Sequence, residues 1–482
     1  MNEKLAEALG HVSDEHIAEA AAHKHRRPCW IGAVAAVLAV AILVGIFWKP
    51  ASEHFTVSPS GYLLAGPQYP EMSPYPNEME YIRLDGTFDD EGFSVVYDAW
   101  RADRKAQYDQ PKGYADGLED FFAASIPEFL AAGEENSVCS PVNIYMALAM
   151  LAETAGGDSR QQILDLLGAR NIDKLRTQVD HVWNAHYCAD DATAVVLANS
   201  LWLDEGMTYN PDTVGTLAEA YYASVYQGDL GSKEMNQALQ AWLNEQTGGL
   251  LEEQAQNVEL PPQTAVALAS TIYYRAKWQN EFWEDANTEG IFHGTRGDQD
   301  VTYMNKTIDH GPYFWGEDYA AVYLSLRDSS KMWLILPDEG KTPAEVLENG
   351  AALEMVLGDW NSHENQKSIK VNLSLPKFDI AADTRLEESL RNLGVTAIFD
   401  EESADLTPIL PEAQAWLDRV DHAARVAIDE EGVTAAAYTV MLEAGASPPP
   451  EDEVDLVLDR PFLFVITSRD NLPLFAGVVN EP

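Results

Sequence analysis

Only three cysteines occur in 482 residues, too few and too scattered for a disulfide framework. Cys29 stands at the edge of an apolar run, which leaves Cys139 and Cys188 as the one possible pair; they are expected to stay apart. Basic residues are scarce as well: 31 against 78 acidic ones, a net charge of −47. Such a chain repels a polyanion, which excludes nucleic acid as a partner. Most of these charges read as a solvated acidic surface that keeps the protein soluble and suits cationic partners. Catalytic signatures are missing too. There is no HExxH, GxSxG or CxxC and no glycine-rich phosphate loop. His181, His186 and His310 lack a nucleophile motif and read as surface or satisfied core histidines. No cofactor and no metal is expected, and a cell-surface hydrolase is the weakest of the functional readings.

What is present begins with an uncharged run. Residues 1–27 are polar and helix-prone and end in His23-Lys24-His25-Arg26-Arg27. Trp30 to Trp48 then runs nineteen residues without a charge. At about 1.5 Å per residue it is long enough to cross a bilayer core. A tryptophan at each end suits the interfacial belts, and the preceding basic flank places the N-terminus in the cytoplasm. A cleaved signal peptide is the rival reading. Its apolar region is usually shorter, and Lys49-Pro50 makes a poor cleavage site. The expected organisation is a cytoplasmic tail over 1–27, a membrane anchor over 28–49, a Pro-rich and acidic extracellular tether over 50–113, and a globular domain over 114–482. Pro50, Pro59, Pro67, Pro70, Pro74 and Pro76 make the first part of the tether semi-rigid. Whether 81–113 pack on the domain or extend the stalk stays open.

Within the domain, Leu118, Phe121, Phe122, Ile126, Phe129 and Leu130 recur at helical spacing. Ser140-Pro141 starts a further helix, the serine as cap and the proline in the first turn. Thr193 to Leu203 reads as a buried strand. Helices first and then mostly strands imply an α+β domain. Near the C-terminus, Gly432 is followed by eight residues that are small or β-branched, apart from Tyr438. Val433, Ala435, Ala437, Thr439 and Met441 share one face of a strand; Thr434, Ala436, Tyr438 and Val440 share the other. A polar, Pro-rich segment follows. The stretch suits two states, an exposed loop or a strand with a narrow face.

Glu430-Glu431-Gly432-Val433-Thr434-Ala435-Ala436-Ala437 resembles the reactive-loop hinge of a serpin. Further blocks resemble the same family in order. They are Asn136 to Ile144, Met235 to Gly249, Thr271 to Phe282 with Lys277-Trp278, Lys331 to Asp338, Leu375 to Ile380, Arg460 to Ile466 and Leu474 to Pro482. The resemblance covers about residues 114–482. It implies helices plus a large central β-sheet with a mobile, insertable loop, and it implies suicide inhibition of a serine protease. Counting along the loop from Glu430 puts the reactive bond at Ala446-Ser447, where a small residue suits an elastase-like pocket. Met441, Leu442 or Glu443 are alternative cut sites for other proteases. The resemblance also assigns Ser140 and His422 to the shutter beneath the opening sheet, and Trp278 to the top of that sheet. Asn143 and Ser270 stand where the family often has serine and asparagine; a hydrogen-bond network survives that exchange. The protein is expected to act as a monomer of the bacterial membrane-anchored type. A non-inhibitory binding protein of the same fold is the alternative, which the small inward positions of the hinge disfavour.

Overall fold

The computed structural model describes residues 58–83, 86–130, 133–190, 193–262, 264–417, 419–433 and 452–482. Two sheets organise them. Sheet 1 contains β1 (Leu63–Ala65), β3 (Cys188–Ala189), β4 (Ala194–Asp204), β5 (Ala223–Gly228), β6 (Val266–Lys277), β12 (Phe378–Arg385), β13 (Val420–Ile428) and β14 (Gly432–Val433). Its order is β1-β5-β4-β6-β14-β13-β12, with β3 alongside β4. Sheet 2 contains β2 (Ser137–Cys139), β7 (Thr288–Gly294), β8 (Gly297–Trp315), β9 (Tyr319–Ser325), β10 (Lys331–Pro337), β11 (Gln366–Pro376), β15 (Glu453–Val457), β16 (Phe462–Thr467) and β17 (Pro473–Val479).

The central strands carry apolar residues on both faces because both faces are covered. In β6, Val266, Leu268, Ile272 and Tyr274 point into the main core. Ala267 and Ala269 face the other way, under Leu239 and Trp242 of a helix spanning Lys233–Gln246. The helix Pro141–Thr154 supports the opposite face and is buried over its whole length. Ser140 caps it, its hydroxyl accepting from the Asn143 N–H at 3.4 Å, and Pro141 occupies the first turn. The helix of Leu118–Phe129 buries Leu118, Phe121, Phe122, Ile126 and Phe129, and Leu130 is buried just past its end. Cys139 in β2 and Cys188 in β3 lie in different sheets as buried free thiols.

The tether expected over 50–113 does not hold from residue 58 onward. β1 pairs with the free edge of β5, and a nineteen-residue helix runs from Asp90 to Tyr108. Tyr69 stacks on Trp183 with ring centroids 5.2 Å apart. Proline fixes the backbone of this stretch but leaves its aromatic side chains free to bury, and their burial outweighs a solvated stalk. Residues 81–113 therefore pack on the domain. The apolar run Trp30–Trp48 lies outside the described residues. Among the described ones no helix is long and apolar enough to cross a membrane.

Candidate functional site

The hinge begins at a tight turn between β13 and β14. The Asp429 carboxylate accepts from the N–H groups of Glu431 at 2.9 Å and Gly432 at 3.0 Å. Burial pushes this carboxyl above its ordinary value. Trp278, buried at the end of β6, donates its indole N–H to the Asp429 carbonyl at 2.8 Å. Its backbone N–H donates to the Glu431 carbonyl, and that of Phe282 donates to the Glu430 carbonyl, both at 2.9 Å. The Glu430 carboxylate lies 2.6 Å from the Lys377 ammonium and also takes the Asn287 amide. Burial alone would raise its pKa; the two partners hold it below the ordinary range. Lys277 and Glu431 stand 3.8 Å apart.

Gly432 and Val433 already lie inside sheet 1. Gly432 pairs with Lys277, and Val433 pairs with Ala276 on one side and Ile428 on the other, antiparallel to both strands. A Cβ on Gly432 would come 2.3 Å from the Ala276 carbonyl oxygen, so only glycine fits there. Val433 is 1% exposed and packs in the main core with Ala276 and Ile428. This corrects one expectation: the loop is not exposed from its first inward residue, because that residue gains a ready-made apolar slot between two strands. Thr434, Ala435, Ala436 and Ala437, and the bond Ala446-Ser447, lie outside the described residues.

Lower down, β6 and β13 pair directly and in parallel, Leu268–Thr271 against Val420–Ala423. Ser270 stands opposite His422 here, and opposite Asn199 on the other side in β4. Beneath this row sits the N-terminus of the Pro141–Thr154 helix. The Ser140 N–H donates to His422 Nε2 at 2.9 Å, and the Asn143 amide donates to the Ser270 hydroxyl at 2.6 Å. The Asn199 amide reaches the Asn143 side-chain oxygen at 3.5 Å. Accepting at Nε2 keeps the imidazole neutral, and burial drives its pKa down to about 3. The structure thus brings Ser140, Asn143, Ser270 and His422 together and places Trp278 with the hinge, higher up the same strand. Asn199, Asp429 and Lys377 belong to these two clusters too. Sequence reasoning missed them, although Lys377 falls in the Leu375–Ile380 block. His181 bonds to Gln110 and His186 to the Val182 carbonyl, which gives neither a catalytic partner. Among the described residues no group of three or more His, Cys, Asp or Glu is placed to hold a metal.

The two clusters share one register. His422 aligns with Ser270, and Ile428 aligns through Val433 with Ala276, a numbering offset of 152 in both places. β6 and β13 are therefore parted at the top and closed below without slipping along each other.

A large sheet with a hinge lodged between its middle strands is a serpin architecture. The family described as Serpin (serine protease inhibitor) matches residues 118–482. The chain belongs to the serpin family, whose members are in general protease inhibitors and not enzymes. Serpin-Z2B of Oryza sativa subsp. japonica is 28% identical over 399 residues, covering 75% of this chain and 96% of the relative. The leukocyte elastase inhibitor of Homo sapiens is 26% identical over 368 residues, covering 73% and 96%. Among solved structures, native Tengpin, a thermophilic serpin, superposes with a TM-score of 0.69 at 23% identity, over 77% of this chain and 95% of that one. A thyroxine-binding globulin in complex with thyroxine does so with 0.66 at 21%, over 76% and 99%. These two show the fold. The curated relatives named here are plant and human, so they lend no support to a bacterial, membrane-anchored type.

Proposed function

We propose that this serpin is a suicide-substrate inhibitor of a serine endopeptidase, with an elastase-like enzyme favoured. The protease serine attacks the Ala446 carbonyl, the bond to the Ser447 nitrogen breaks, and an acyl-enzyme forms. The freed strand then enters sheet 1 between β6 and β13 and draws the protease along before water can deacylate it. The name of the human relative, a leukocyte elastase inhibitor, and the small residue at the cut support the elastase preference.

The shared register is the observation that carries this reading. Continued without slip from Val433, it would set Ala435 between Tyr274 and Val426 and Ala437 between Ile272 and Ala424. Thr439 would fall between Ser270 and His422, and Met441 between Leu268 and Val420. Val433 to Met441 would then have a partner on each side, over about 30 Å of strand. One parallel pairing would give way to two antiparallel ones, each somewhat stronger per residue. β6 and β13 need only part by about one strand spacing, 4.8 Å, with no sliding. The intact protein is then held short of its most stable arrangement by a barrier.

The apolar run Trp30–Trp48 is proposed as a single-pass anchor with the N-terminus inside and the inhibitor outside the cell, acting as a monomer. The test of function uses the compact unit Phe55–Pro482. Incubation with a panel of serine proteases should give a denaturant-resistant covalent complex. Clean cleavage without a complex from every protease would instead favour a non-inhibitory binding protein.

A further inference from the structure

Residues 58–114 precede the part of the chain that matches the family, yet they are fastened to both halves of the molecule that must separate. Insertion of a strand beside β14 divides sheet 1 between β6 and β13. One half is β1-β5-β4-β6. The other, β13-β12, is continuous with sheet 2, since β12 follows β11 after the single residue Lys377, although the end of β6 also touches sheet 2 at the Trp278–Leu326 bridge and through Tyr274 on Ser330.

The first half is gripped at four places. Leu63 and Ala65 pair with Tyr226 and Val225 of β5. Tyr69 stacks against Trp183, which also stacks on Tyr222 and Tyr187, with ring centroids 3.7 Å and 4.5 Å away. Trp183 is itself bound to β4 through its indole N–H on the Leu197 carbonyl, at 3.2 Å. The Tyr75 N–H donates to the Asp190 carbonyl at 2.8 Å, beside β3, and the Gln107 amide donates to the Tyr187 carbonyl at 2.9 Å.

The second half is gripped at the turn between β16 and β17. The Arg469 guanidinium lies 3.6 Å from the centre of the Tyr108 ring and donates to the Tyr108 carbonyl at 3.3 Å. The Tyr114 hydroxyl donates to Asp470 at 2.9 Å. The segment thus bridges the line along which sheet 1 parts.

We propose that residues 58–114 form an internal brace that opposes the separation of β6 from β13 and so sets the rate of loop insertion. This rests on the insertion reading above. The brace is attached by aromatic stacking, a cation over a ring and a few backbone hydrogen bonds, contacts that oppose a rigid-body shift without blocking it.

The test cuts the bridge at its exposed end in the full chain. Arg469 is about one-third exposed, so Arg469→Ala should fold, and Arg469→Lys keeps a cation near the ring. Hydrogen exchange of the amides in 268–271 and 420–423 is measured with the loop intact, far in sequence from the substitution. Arg469→Ala should speed it by about 5- to 30-fold, with Arg469→Lys intermediate. Tyr69→Ala, which cuts the other end, should act in the same direction. Exchange that rises only near 108–114 and 468–472 would overturn the brace. The second readout is the change in Trp278 fluorescence after the loop is cut, which should be several-fold faster in Arg469→Ala. If the parent shows no such change, the insertion reading fails, and the exchange measurement still decides the brace.

Discussion

Val433 is the residue on which the proposed mechanism can be tested most sharply. Replacing it with arginine puts a charge into a slot lined by Ala276 and Ile428, with Trp278 two residues beyond Ala276, just past the end of β6. The intact protein has an escape. It can withdraw the two-residue β14 and leave the arginine in water. That forfeits the burial of one valine, about 1.5–3 kcal/mol, and one or two hydrogen bonds of about 0.5–1.5 kcal/mol each. The total is about 2–6 kcal/mol. Spread over a unit of about 430 residues, with an unfolding entropy of about 2.1 cal/mol/K per residue, the midpoint falls by about 2–7 °C. The inserted form has no such escape, because withdrawing the arginine also withdraws the start of the strand. There the full cost of an unpaired buried charge applies, several kcal/mol even after relaxation. Insertion is slowed while deacylation is not. Val433→Arg should therefore be cut at Ala446-Ser447 and release active protease, read as cleaved inhibitor without covalent complex on a denaturing gel. Thr434→Arg, on the opposite face of the strand, should trap protease nearly as well as the parent. Full trapping by Val433→Arg would refute the assignment of faces.

A single cut between Thr439 and Ser447 should raise the thermal midpoint by tens of degrees; an unchanged midpoint would mean that the strand stays outside the sheet. Gly432→Ala should cost about 1–3 kcal/mol in a urea melt, since its Cβ meets backbone of β6; an unaltered melt would mean that β14 is not lodged there. The pH dependence has two opposed contributions. Burial holds His422 down to about 3, so below about pH 6 the unfolded chain binds a proton the native form lacks, and stability falls with pH. Burial pushes the Asp421 carboxyl up to about 6 despite the Arg419 guanidinium, so there the native form binds the extra proton and stability rises as pH falls. The slopes, about 1.4 kcal/mol per pH unit each, nearly cancel between about pH 4 and 6. Asp421→Asn should lose stability relative to the parent across that window in urea melts, and a constant difference would refute the pairing. If Trp30–Trp48 is an anchor, protease added to intact cells should release the domain by cutting between Lys49 and Val57, ahead of the folded extension; a new N-terminus just after Trp48 in the medium would favour a cleaved signal peptide.

Features that depend on neighbours in sequence were legible beforehand. The Ser140 cap and Pro141 announce a helix start because capping chemistry is local. The inward face of Val433 follows from the period of two along a strand. Features set by partners far along the chain were not. That Val433 is already seated depends on the spacing of Ala276 and Ile428, which no local pattern encodes. Asn199 enters the polar row only because β4 aligns it with Ser270. The proline content of residues 50–80 suggested a stalk, since composition describes the backbone but not the surface waiting for it. The edge of β5 and the ring of Trp183 are that surface.

If the strand inserts as proposed, the register also says where the barrier would lie. At the top, β6 and β13 are already apart around β14, so nothing has to break for the hinge to remain there. Four residues on each strand, Leu268–Thr271 and Val420–Ala423, are paired directly lower down and must separate before the strand can advance. Their ladder is reinforced from beneath, because Ser140 and Asn143 tie His422 and Ser270 to one helix end. Parting the strands strains or breaks at least one of these bonds, and each buried group left unpaired costs about 1–3 kcal/mol. On the proposed mechanism, the hinge would govern the start of entry, while the closed stretch below it would limit how fast the strand advances. Substitutions at Ser270 or Asn143 should change the rate of insertion with little effect on the seating of Val433, and substitutions at Gly432 should do the reverse.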